Sequence, residues 1–550
     1  MDEAMRQRFA GLGDKLRSSL PPYMVPSLFI PLRAMLFNTS MKMDRQALRL
    51  LCPESAVEAS QFVLGQRVAF EAPADELEAG LRQLWAQVLR IANKEISVLD
   101  NFYDLGGDSI RIVTLNKLVR KAHNVTLTVR QMSSRTITIR SLAELIRAEC
   151  EGAPVRAAPA VDLMAEVAAV MGALPVDSDG PLAANPVTEL PDGATILLTG
   201  ATGYLGTEIL KQLLRSGRKV IALVRATSPA HGLERIKRSA QIAGWWDEDA
   251  DATRVEVWPG DLAHARLGLD ETSWARLCGN AGVSGAVDAV VHNGAVVNWN
   301  ADFSMLRAAN VQSTADLLGA VAASPRSAKL VYISGGLTGD TQTDRAATAA
   351  QMAAGGNGYA QTKFLAESIV HEVAVSRLPE PHNRISTVKP GMIIGGAGGV
   401  CNIDDYIWRV VAASVSVRAF PEEPADHWMP IASVETVAGA AVSQLAASGA
   451  VKSFVDLQSV GLPAKAFWEI LNEELGIACR PVSWSSWMEL VSEQMIDLNE
   501  AHPLWPHGEI AVNDREVAAV QWSLQYLLKI GFITLVPGEF GTVSADAMAR

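Results

Sequence analysis

The stretch that decides the fold is "ATILLTGATGYLGTEILKQLLRSGRKVIALVR", residues 194–225. It opens with a short apolar run, turns through Gly200, Gly203 and Gly206, continues as an amphipathic run and ends in a second apolar run. A strand, a glycine-rich turn, a helix and a second strand in this order form the first βαβ unit of a parallel sheet. The sequence therefore predicts an α/β domain of the Rossmann type that begins near residue 195.

The glycine-rich turn predicts a dinucleotide site. Glycines let the backbone approach a pyrophosphate closely, and free N–H groups at the start of the following helix favour an anion. The turn itself should contribute Gly200, Thr202, Gly203, Tyr204, Leu205 and Gly206. The next two predicted strand ends, "GDL" and "HNGA", should add Asp261, Leu262, Asn293, Gly294 and Ala295.

The end of the second strand predicts which dinucleotide is bound. NAD-binding units place Asp or Glu there to hold the ribose 2′-hydroxyl. This sequence has Arg225, and Arg235 follows ten residues later. A guanidinium group pairs well with a 2′-phosphate, so we predict NADPH. The alternative is that Arg225 is a solvated strand end without a ligand.

A tyrosine and a lysine four residues apart, in "GYAQTKFLAES" (358–368), form the candidate catalytic pair. On a helix, Tyr359 and Lys363 project from one face, one turn apart. An isolated tyrosine has a pKa near 10, and we expect the adjacent ammonium and the oxidised nicotinamide to lower it. The alternative is an ordinary helix surface.

A second candidate site lies in "YDLGGDSIRI", residues 103–112. Ser109 stands at a turn-to-helix junction inside a region, 75–150, whose amphipathic patterns predict a small all-α bundle. A helix start suits a bound phosphate, since free N–H groups and the helix dipole favour an anion. The alternative is that Ser109 only caps the helix.

The stretch "DNFYDLGGDSIRIVTLNKLVRKA" resembles the peptidyl carrier (thiolation) domain of non-ribosomal peptide synthetases. The resemblance implies a four-helix bundle, 4′-phosphopantetheine carried on Ser109, and a phosphopantetheinyl transferase as a partner. Residues 1–52, with "LPPYMVPSLFIPL" and "NTSMKMDRQAL", resemble the C-terminal end of an adenylation domain, which implies an upstream adenylation domain or module.

The region from 195 onward resembles the extended short-chain dehydrogenase/reductase family, specifically its thioester reductase domains. "LLTGATGYLG", "HNGA", "GYAQTKFLAE" and "VKPGMIIG" carry the resemblance. It implies a Rossmann-fold reductase with a smaller C-terminal substrate subdomain. The implied activity is NADPH-dependent release of a carrier-bound acyl or peptidyl thioester as an aldehyde, with reduction on to the alcohol left open. Tyr359 would act on the carbonyl oxygen, and Lys363 would hold the nicotinamide ribose.

One departure from this family concerns the residues after the strand "VYI". The family usually has Ser-Thr there, and the Thr helps Tyr polarise the carbonyl. Here Gly335 occupies the Thr position, so we expect Ser334 to supply the hydroxyl, with Thr338 as the other candidate. Lys389 likewise stands where an Arg is common.

Composition narrows the possibilities further. A net charge of −12 argues against nucleic-acid binding, which needs a basic face. There is no apolar run long enough to span a membrane, no signal-peptide core in "MDEAMRQRFAG", and no metal or disulfide spacing among five scattered cysteines. We therefore expect a cytoplasmic protein without a metal. We also expect residues 151–194 to be a linker containing one helix, and residues 195–550 to be the reductase domain.

Three other functions stay open. The domain could be a non-redox, Dieckmann-type release domain, although such domains typically lack the tyrosine. It could be a sugar-nucleotide epimerase or dehydratase of the same fold, which the attached carrier region argues against. It could also be a catalytically impaired, reductase-like binding module, because of Gly335. Consumption of NADPH with an acyl-pantetheine thioester would separate these functions.

Overall fold

The computed structural model describes residues 70–89, 91–102, 105, 109–123, 125, 137–150, 161–174, 189–280, 282, 284–298, 301–326, 328–336, 338–339, 341–355, 357–377, 383–396, 400–402, 405–422, 427–447 and 449–498. The chain divides into two compact units, Met1–Pro159 and Ala160–Arg550. The predicted adenylation-domain fragment, 1–52, lies outside the described residues.

The first unit is helical, as predicted. Its described α-helices are α1 (Glu76–Leu89), α2 (Ser109–His123) and α3 (Ile139–Cys150), and a 3₁₀ turn covers Asn93–Glu95. Apolar residues from all three helices share one core, in which the rings of Trp85 and Phe102 meet edge to face with centroids 4.9 Å apart. A fourth helix of the predicted bundle would lie outside the described residues. Ser109 is the first residue of α2, where the sequence placed it.

The second unit contains thirteen described strands and thirteen described α-helices. The strands are β1 (Thr195–Thr199), β2 (Lys219–Val224), β3 (Val255–Pro259), β4 (Ala289–His292), β5 (Lys329–Ile333), β6 (Ile385–Lys389), β7 (Met392–Ile394), β8 (Ala419–Pro421), β9 (Trp428–Met429), β10 (Ile431–Ser433), β11 (Phe454–Asp456), β12 (Leu462–Pro463) and β13 (Arg480–Val482). The helices are α4 (Leu163–Ala173), α5 (Tyr204–Arg215), α6 (Pro229–Ile242), α7 (Glu248–Asp251), α8 (Glu271–Leu277), α9 (Phe303–Arg307), α10 (Ser313–Ala323), α11 (Arg345–Gly355), α12 (Gly358–Glu372), α13 (Tyr406–Val417), α14 (Val434–Ala446), α15 (Ala464–Leu475) and α16 (Trp484–Leu498).

Seven strands form one parallel sheet in the order β11-β6-β5-β4-β1-β2-β3. The order 3-2-1-4-5-6 is that of a dinucleotide-binding Rossmann sheet, which confirms the predicted fold class. The central strands are apolar and buried along their length, because helices cover both faces of the sheet. The carboxyl ends of β1, β4 and β5 therefore meet at one edge, where ligands bind in such sheets.

The helix predicted within 151–194 is α4. Its buried residues Leu163, Val167 and Val170 share a core with Phe364 of α12. Glu166 of α4 also pairs with Arg307 at 2.9 Å. The helix therefore belongs to the packed interior of the second unit. The boundaries of the predicted linker stay a prediction.

The residues after β6 form a second, smaller core within this unit. Trp408 of α13, Trp468 of α15 and Trp487 of α16 are buried in it, and the rings of Trp468 and Phe420 stack with centroids 4.7 Å apart. This separate core agrees with the predicted C-terminal subdomain. None of the helices in the described ranges is long and apolar enough to cross a membrane.

Candidate active site

The glycine-rich turn between β1 and α5 leaves no room for side chains. Gly200 has φ +71, and a Cβ there would lie 2.9 Å from the backbone of Gly294. A Cβ at Gly206 would lie 2.0 Å from the carbonyl oxygen of Gly200. Gly203 is the N-cap of α5 and provides no side-chain cap, so the first N–H groups of the helix are available to an anion. The turn therefore fits a dinucleotide pyrophosphate.

Two of the residues predicted to contact the cofactor use their side chains elsewhere. The Tyr204 hydroxyl donates to the carbonyl oxygens of Val400, at 2.8 Å, and Ile394, at 3.1 Å, and burial raises its pKa. The Leu205 side chain is buried in the core beneath α5. Both residues can therefore contribute to a pyrophosphate site only through their backbone N–H groups. Thr202, between the first two glycines, accepts a hydrogen bond at its carbonyl from Ser239.

The predicted NADPH-selecting arginines lie together. Arg225 is exposed directly after β2, and the guanidinium group of Arg235 on α6 donates to its carbonyl oxygen. The nearby Lys237 is instead paired with Glu248 at 2.6 Å. Arg225 and Arg235 thus form a basic corner at the strand end where a 2′-phosphate would be recognised.

The ends of β3 and β4 lie against the same glycine turn. Asn293 donates its side-chain amide to the carbonyl of Gly200 at 3.4 Å, and Gly294 N–H donates to Thr199 Oγ1 at 2.8 Å. A Cβ at Gly294 would lie 2.9 Å from Leu262 Cδ1, 3.0 Å from Thr199 Oγ1 and 3.1 Å from the backbone nitrogen of Gly200, so a side chain there would force its neighbours to shift. Asp261, next to Leu262, accepts from the backbone of Ala263, and Ala295 follows Gly294 at half-buried depth. The structure therefore brings these predicted residues together at one edge.

Tyr359 and Lys363 occupy the first turns of α12, which Asn357 caps by accepting from Ala360 N–H at 2.7 Å. Lys363 is 4% exposed. Its ammonium donates to the carbonyl of Ile333 at 2.7 Å and lies 4.4 Å from the centroid of the Tyr332 ring. The lysine therefore connects the candidate catalytic helix to the carboxyl end of β5.

Burial shifts the pKa values of this pair. Burial, with a smaller contribution from the Asp405 carboxylate, raises the pKa of Tyr359 to about 12. Burial lowers the pKa of Lys363 to about 7, although Glu367 opposes the shift. Burial therefore opposes the lowering of the tyrosine pKa that we expect from the ammonium and the oxidised nicotinamide together, and that lowering stays a prediction. Tyr359 stays a phenol at neutral pH, the form that donates a proton.

A buried carboxylate that sequence analysis did not identify holds the loop after β5. Glu367, fully buried one turn beyond Lys363, accepts hydrogen bonds from three hydroxyl groups and pairs with Lys389 at 3.3 Å. The three hydroxyl donors are Ser334, Thr338 (2.9 Å) and Thr341. The spacing of four from Lys363 was visible in the sequence. The partners were not, because all four lie outside α12, three of them after β5 and Lys389 on β6.

These contacts bear on the predicted catalytic hydroxyl. Ser334 and Thr338 each have one hydroxyl proton; that of Ser334 is directed at Glu367, and that of Thr338 is shared between Glu367, at 2.9 Å, and the carbonyl oxygen of Gly335, at 3.1 Å. Either group would have to leave the carboxylate to donate to a substrate oxygen. A catalytic role for Ser334 stays a prediction, and the contacts favour an anchoring role for it. Gly335 has room beside Lys363, since a Cβ there would lie 3.8 Å from Lys363 Cε.

Comparison with known families agrees with this arrangement. Residues 79–146 match the family described as phosphopantetheine attachment site, and residues 198–441 match the NAD-binding family described as male sterility protein. The chain therefore contains a phosphopantetheine-attachment domain followed by a NAD(P)-binding reductase domain. Among the described residues, no group of His, Cys, Asp and Glu side chains could hold a metal ion.

Curated relatives place the chain more narrowly. It is 32% identical to N-benzoylphenylalaninol synthetase apmA of Penicillium brevicompactum over 99% of this chain and 24% of that protein. It is 33% identical to the nonribosomal peptide synthetase malG of Malbranchea aurantiaca over 90% of this chain and 21% of that protein. The chain is thus homologous to nonribosomal peptide synthetase-like reductases, and it spans about a quarter or less of these relatives.

Solved structures show the same fold. The PhqB reductase domain from Penicillium fellutanum is 29% identical, with a TM-score of 0.52 over 66% of this chain and 99% of that one. A thiolation-reductase di-domain from an archaeal non-ribosomal peptide synthetase has a TM-score of 0.59 over 85% of this chain and all of that one, at 17% identity. The second likeness concerns the fold alone.

Proposed function

We propose that this chain releases an acyl or peptidyl group from the carrier thiol by reducing its thioester to an aldehyde, with NADPH as the reductant. The observation that carries the proposal is the Tyr359–Lys363 pair at the same sheet edge as the glycine turn, in a chain that also has a phosphopantetheine-attachment domain. When bound, the reduced nicotinamide supplies the hydride, and the pantetheine thiol carries the acyl group as a thioester.

The residues of the chain divide the remaining work. Tyr359, whose pKa of about 12 keeps it protonated, donates its phenol hydrogen to the carbonyl oxygen as negative charge develops there. Lys363 holds the nicotinamide ribose, next to the end of β5. The backbone N–H groups at the start of α5 bind the pyrophosphate. Because Ser334 and Thr338 donate to Glu367, Tyr359 is the principal donor to the substrate oxygen.

The basic corner at Arg225 and Arg235 supports NADPH as the preferred dinucleotide. Both guanidinium groups stand at the strand end where NAD-binding units keep an acidic side chain. A charge-assisted hydrogen bond to a 2′-phosphate is worth about 1.5–3 kcal/mol. NADH lacks that phosphate, so Arg225 and Arg235 would have no anion to bind.

The carrier region supports the remaining partners that we propose. Ser109 at the start of α2 would be modified by a phosphopantetheinyl transferase, and an upstream adenylation domain or module would load the arm. We propose no nucleic-acid or membrane partner and a cytoplasmic location. Two described cysteines, at 278 and 479, are buried thiols outside any disulfide bond, which suits a reducing compartment.

The name of one relative bears on the product. A phenylalaninol is an alcohol, so the aldehyde could be an intermediate that the same site reduces again. Two-electron and four-electron reduction use the same Tyr359 and differ in whether the aldehyde leaves before a second NADPH binds.

A synthetic acyl-pantetheine thioester incubated with the protein and NADPH tests the proposal. We expect NADPH oxidation that depends on the thioester, with an aldehyde or alcohol identified by mass spectrometry. The Tyr359→Phe variant is the control for background oxidation. Thioester loss to a cyclised product without NADPH oxidation would indicate a non-redox release domain, and no loss of thioester would indicate a binding module.

A further inference from the structure

A buried chain of hydrogen bonds starts at the cofactor side of the proposed active site. Gly294 N–H donates to Thr199 Oγ1 at 2.8 Å, and this hydroxyl lies 2.8 Å from His292 Nδ1. Thr199 ends β1 and His292 ends β4, and both side chains are essentially inaccessible to solvent. The loop that begins at residue 293 is thus fixed to the histidine.

The other ring nitrogen of His292 continues the chain into the next helix. His292 Nε2 lies 3.0 Å from Thr314 Oγ1, and Thr314 donates its hydroxyl hydrogen to the carbonyl of Asn310 at 2.9 Å. That hydroxyl has one hydrogen, and with this hydrogen on the Asn310 carbonyl, His292 Nε2 is the donor to Thr314. Nδ1 is then the acceptor for Thr199, so the ring is a neutral Nε2–H tautomer. Burial, and then the charge of Lys363, lowers the pKa of His292 to about 3.

The chain ends at the candidate catalytic helix. Asn310 lies in a π-helical turn, Ala308–Gln312, between α9 and α10. Its side-chain amide accepts from Val296 N–H at 2.7 Å and donates to Val296 O and to Thr362 Oγ1, each at 3.1 Å. Thr362 in turn donates to the carbonyl of Tyr359 at 2.8 Å. Such single π turns occur frequently at functional sites.

We propose that His292, Thr314 and Asn310 act together as positioning residues that hold the loop 293–296 at a fixed distance from Tyr359. The inference rests on the proposed function, because the two ends of the chain are the proposed nicotinamide loop and the proposed proton donor. None of the three residues needs to touch substrate. Apolar side chains could fill the same space, but they would not make directional contacts. A buried polar group lowers stability unless it has a hydrogen-bond partner, so these residues are tolerated here because each has one.

The test removes the hydrogen bonds of one side chain, Thr314, and leaves the loop 293–296 and Tyr359 unchanged in sequence. Thr314→Val removes the hydroxyl that joins His292 to Asn310 and keeps the shape of the side chain. Ser313→Ala is the matched control: Ser313 is also fully buried, and its hydroxyl bonds back to Ala309 at 2.6 Å, off the chain. Thr314→Ser restores the link. Turnover, KM for NADPH, NADPH affinity by fluorescence and melting temperature are measured for all three.

We expect Thr314→Val to lower turnover about 10- to 100-fold, the size expected when reacting groups shift by a fraction of an ångström to an ångström. It should also weaken NADPH affinity, while Ser313→Ala and Thr314→Ser stay near wild type in both. Equal turnover and NADPH affinity for folded Thr314→Val and Ser313→Ala would overturn the inference.

A second variant keeps the test decisive if Thr314→Val does not fold. The side chain in His292→Gln is neutral. It keeps a donor at the position of Nε2, toward Thr314, and places no acceptor at the position of Nδ1, toward Thr199. The variant should therefore raise the KM for NADPH more than it lowers turnover. Unchanged values of both would overturn the inference. The NADPH-affinity comparison also separates the two proposals. A wild-type protein that oxidises no NADPH with thioesters would contradict the proposed function. The effect of Thr314→Val on NADPH affinity would still test the series of hydrogen bonds.

Discussion

Two buried sites of this chain, one in each unit, show opposite balances between burial and pairing. In the first unit, burial pushes the pKa of Glu78 upward, but the backbone N–H of Ala74 and the guanidinium of Arg140 outweigh it and lower the pKa. At the candidate active site of the second unit, burial prevails: it raises the pKa of Tyr359 to about 12, lowers that of Lys363 to about 7 and lowers that of His292 to about 3.

The difference follows from what each unit has to do. A buried charge that is paired and satisfied serves the fold, as Glu78 does beside Arg140 at 3.2 Å. Strongly perturbed pKa values in a cleft are typical of sites where protons move. The carrier unit needs a single hydroxyl, at Ser109, whereas the reductase unit needs a set of prepositioned donors. The predictions below test this division, from the largest expected effect to the smallest.

Ser109→Ala should abolish the carrier's chemistry and leave that of the reductase unit intact. Without the hydroxyl, no phosphopantetheine arm can be attached, so reduction of a carrier-bound thioester should stop completely. Intact-mass analysis after treatment with a phosphopantetheinyl transferase and coenzyme A checks the first result. A free acyl-pantetheine should still be reduced at the wild-type rate. An arm that still attaches to the variant would show that the serine is wrongly assigned.

Tyr359→Phe should do the reverse. Removing a positioned acid–base group typically lowers a rate by about 10²–10⁴-fold. NADPH affinity, measured by fluorescence, should stay near wild type, because the missing hydroxyl acts on the substrate oxygen. Full activity of this variant would contradict the short-chain reductase mechanism for this protein.

The division between the units was largely predictable from sequence, but for different reasons. The strand–glycine–helix pattern at 194–225 predicted the sheet, because backbone approach at Gly200 and Gly206 leaves no alternative residue. The serine of the first unit was predicted from a resemblance, with a helix start as physical support. Both predictions rest on contacts that are close in sequence or on steric exclusion.

The polar interior of the second unit was not predictable in the same way. Glu367 meets Ser334 and Lys389, 33 and 22 residues away, and Asn310 meets Thr362 across 52 residues. No local periodicity encodes these pairs, because they form only when separate elements assemble at one sheet edge. For the same reason, the sequence did not reveal that burial raises the pKa of Tyr359, since the depth of burial is not a property of the sequence motif.

Arg225→Asp should change cofactor choice and little else. The KM for NADPH should rise roughly 10- to 150-fold, as expected for one lost charge-assisted phosphate contact. The KM for NADH should change much less, because NADH has no 2′-phosphate. Steady-state kinetics with both cofactors checks this. A wild-type protein that uses NADH as efficiently as NADPH would remove the basis for the assignment.

The pH dependence should report Lys363. Its pKa of about 7 means that the ammonium form is lost as pH rises through neutrality. If the ammonium holds the ribose, kcat/KM should fall about tenfold for each pH unit well above 7, since kcat/KM reports the free enzyme. Lys363→Arg keeps the charge at all these pH values and should flatten the profile. A flat wild-type profile would contradict this role for the lysine.

The smallest effect is expected at the loop after β5. Ser334→Ala and Thr338→Val each remove one of several donors to Glu367, so both should lower turnover slightly and by similar amounts. Loss of a true oxyanion donor costs about 10²–10³-fold. A loss of that size in Ser334→Ala alone, at unchanged melting temperature, would show that Ser334 leaves Glu367 to act on the substrate.

The most direct test of the central claim follows the hydride itself. The protein carrying an acyl thioester on the Ser109 arm is incubated with NADPH deuterated at the transferable C4 position, and the released product is analysed by mass spectrometry. We predict an aldehyde with one deuterium on the former thioester carbon, or an alcohol with two, and about 10²–10⁴-fold slower formation of labelled product by Tyr359→Phe. Release of a product without deuterium would contradict reductive release by this chain.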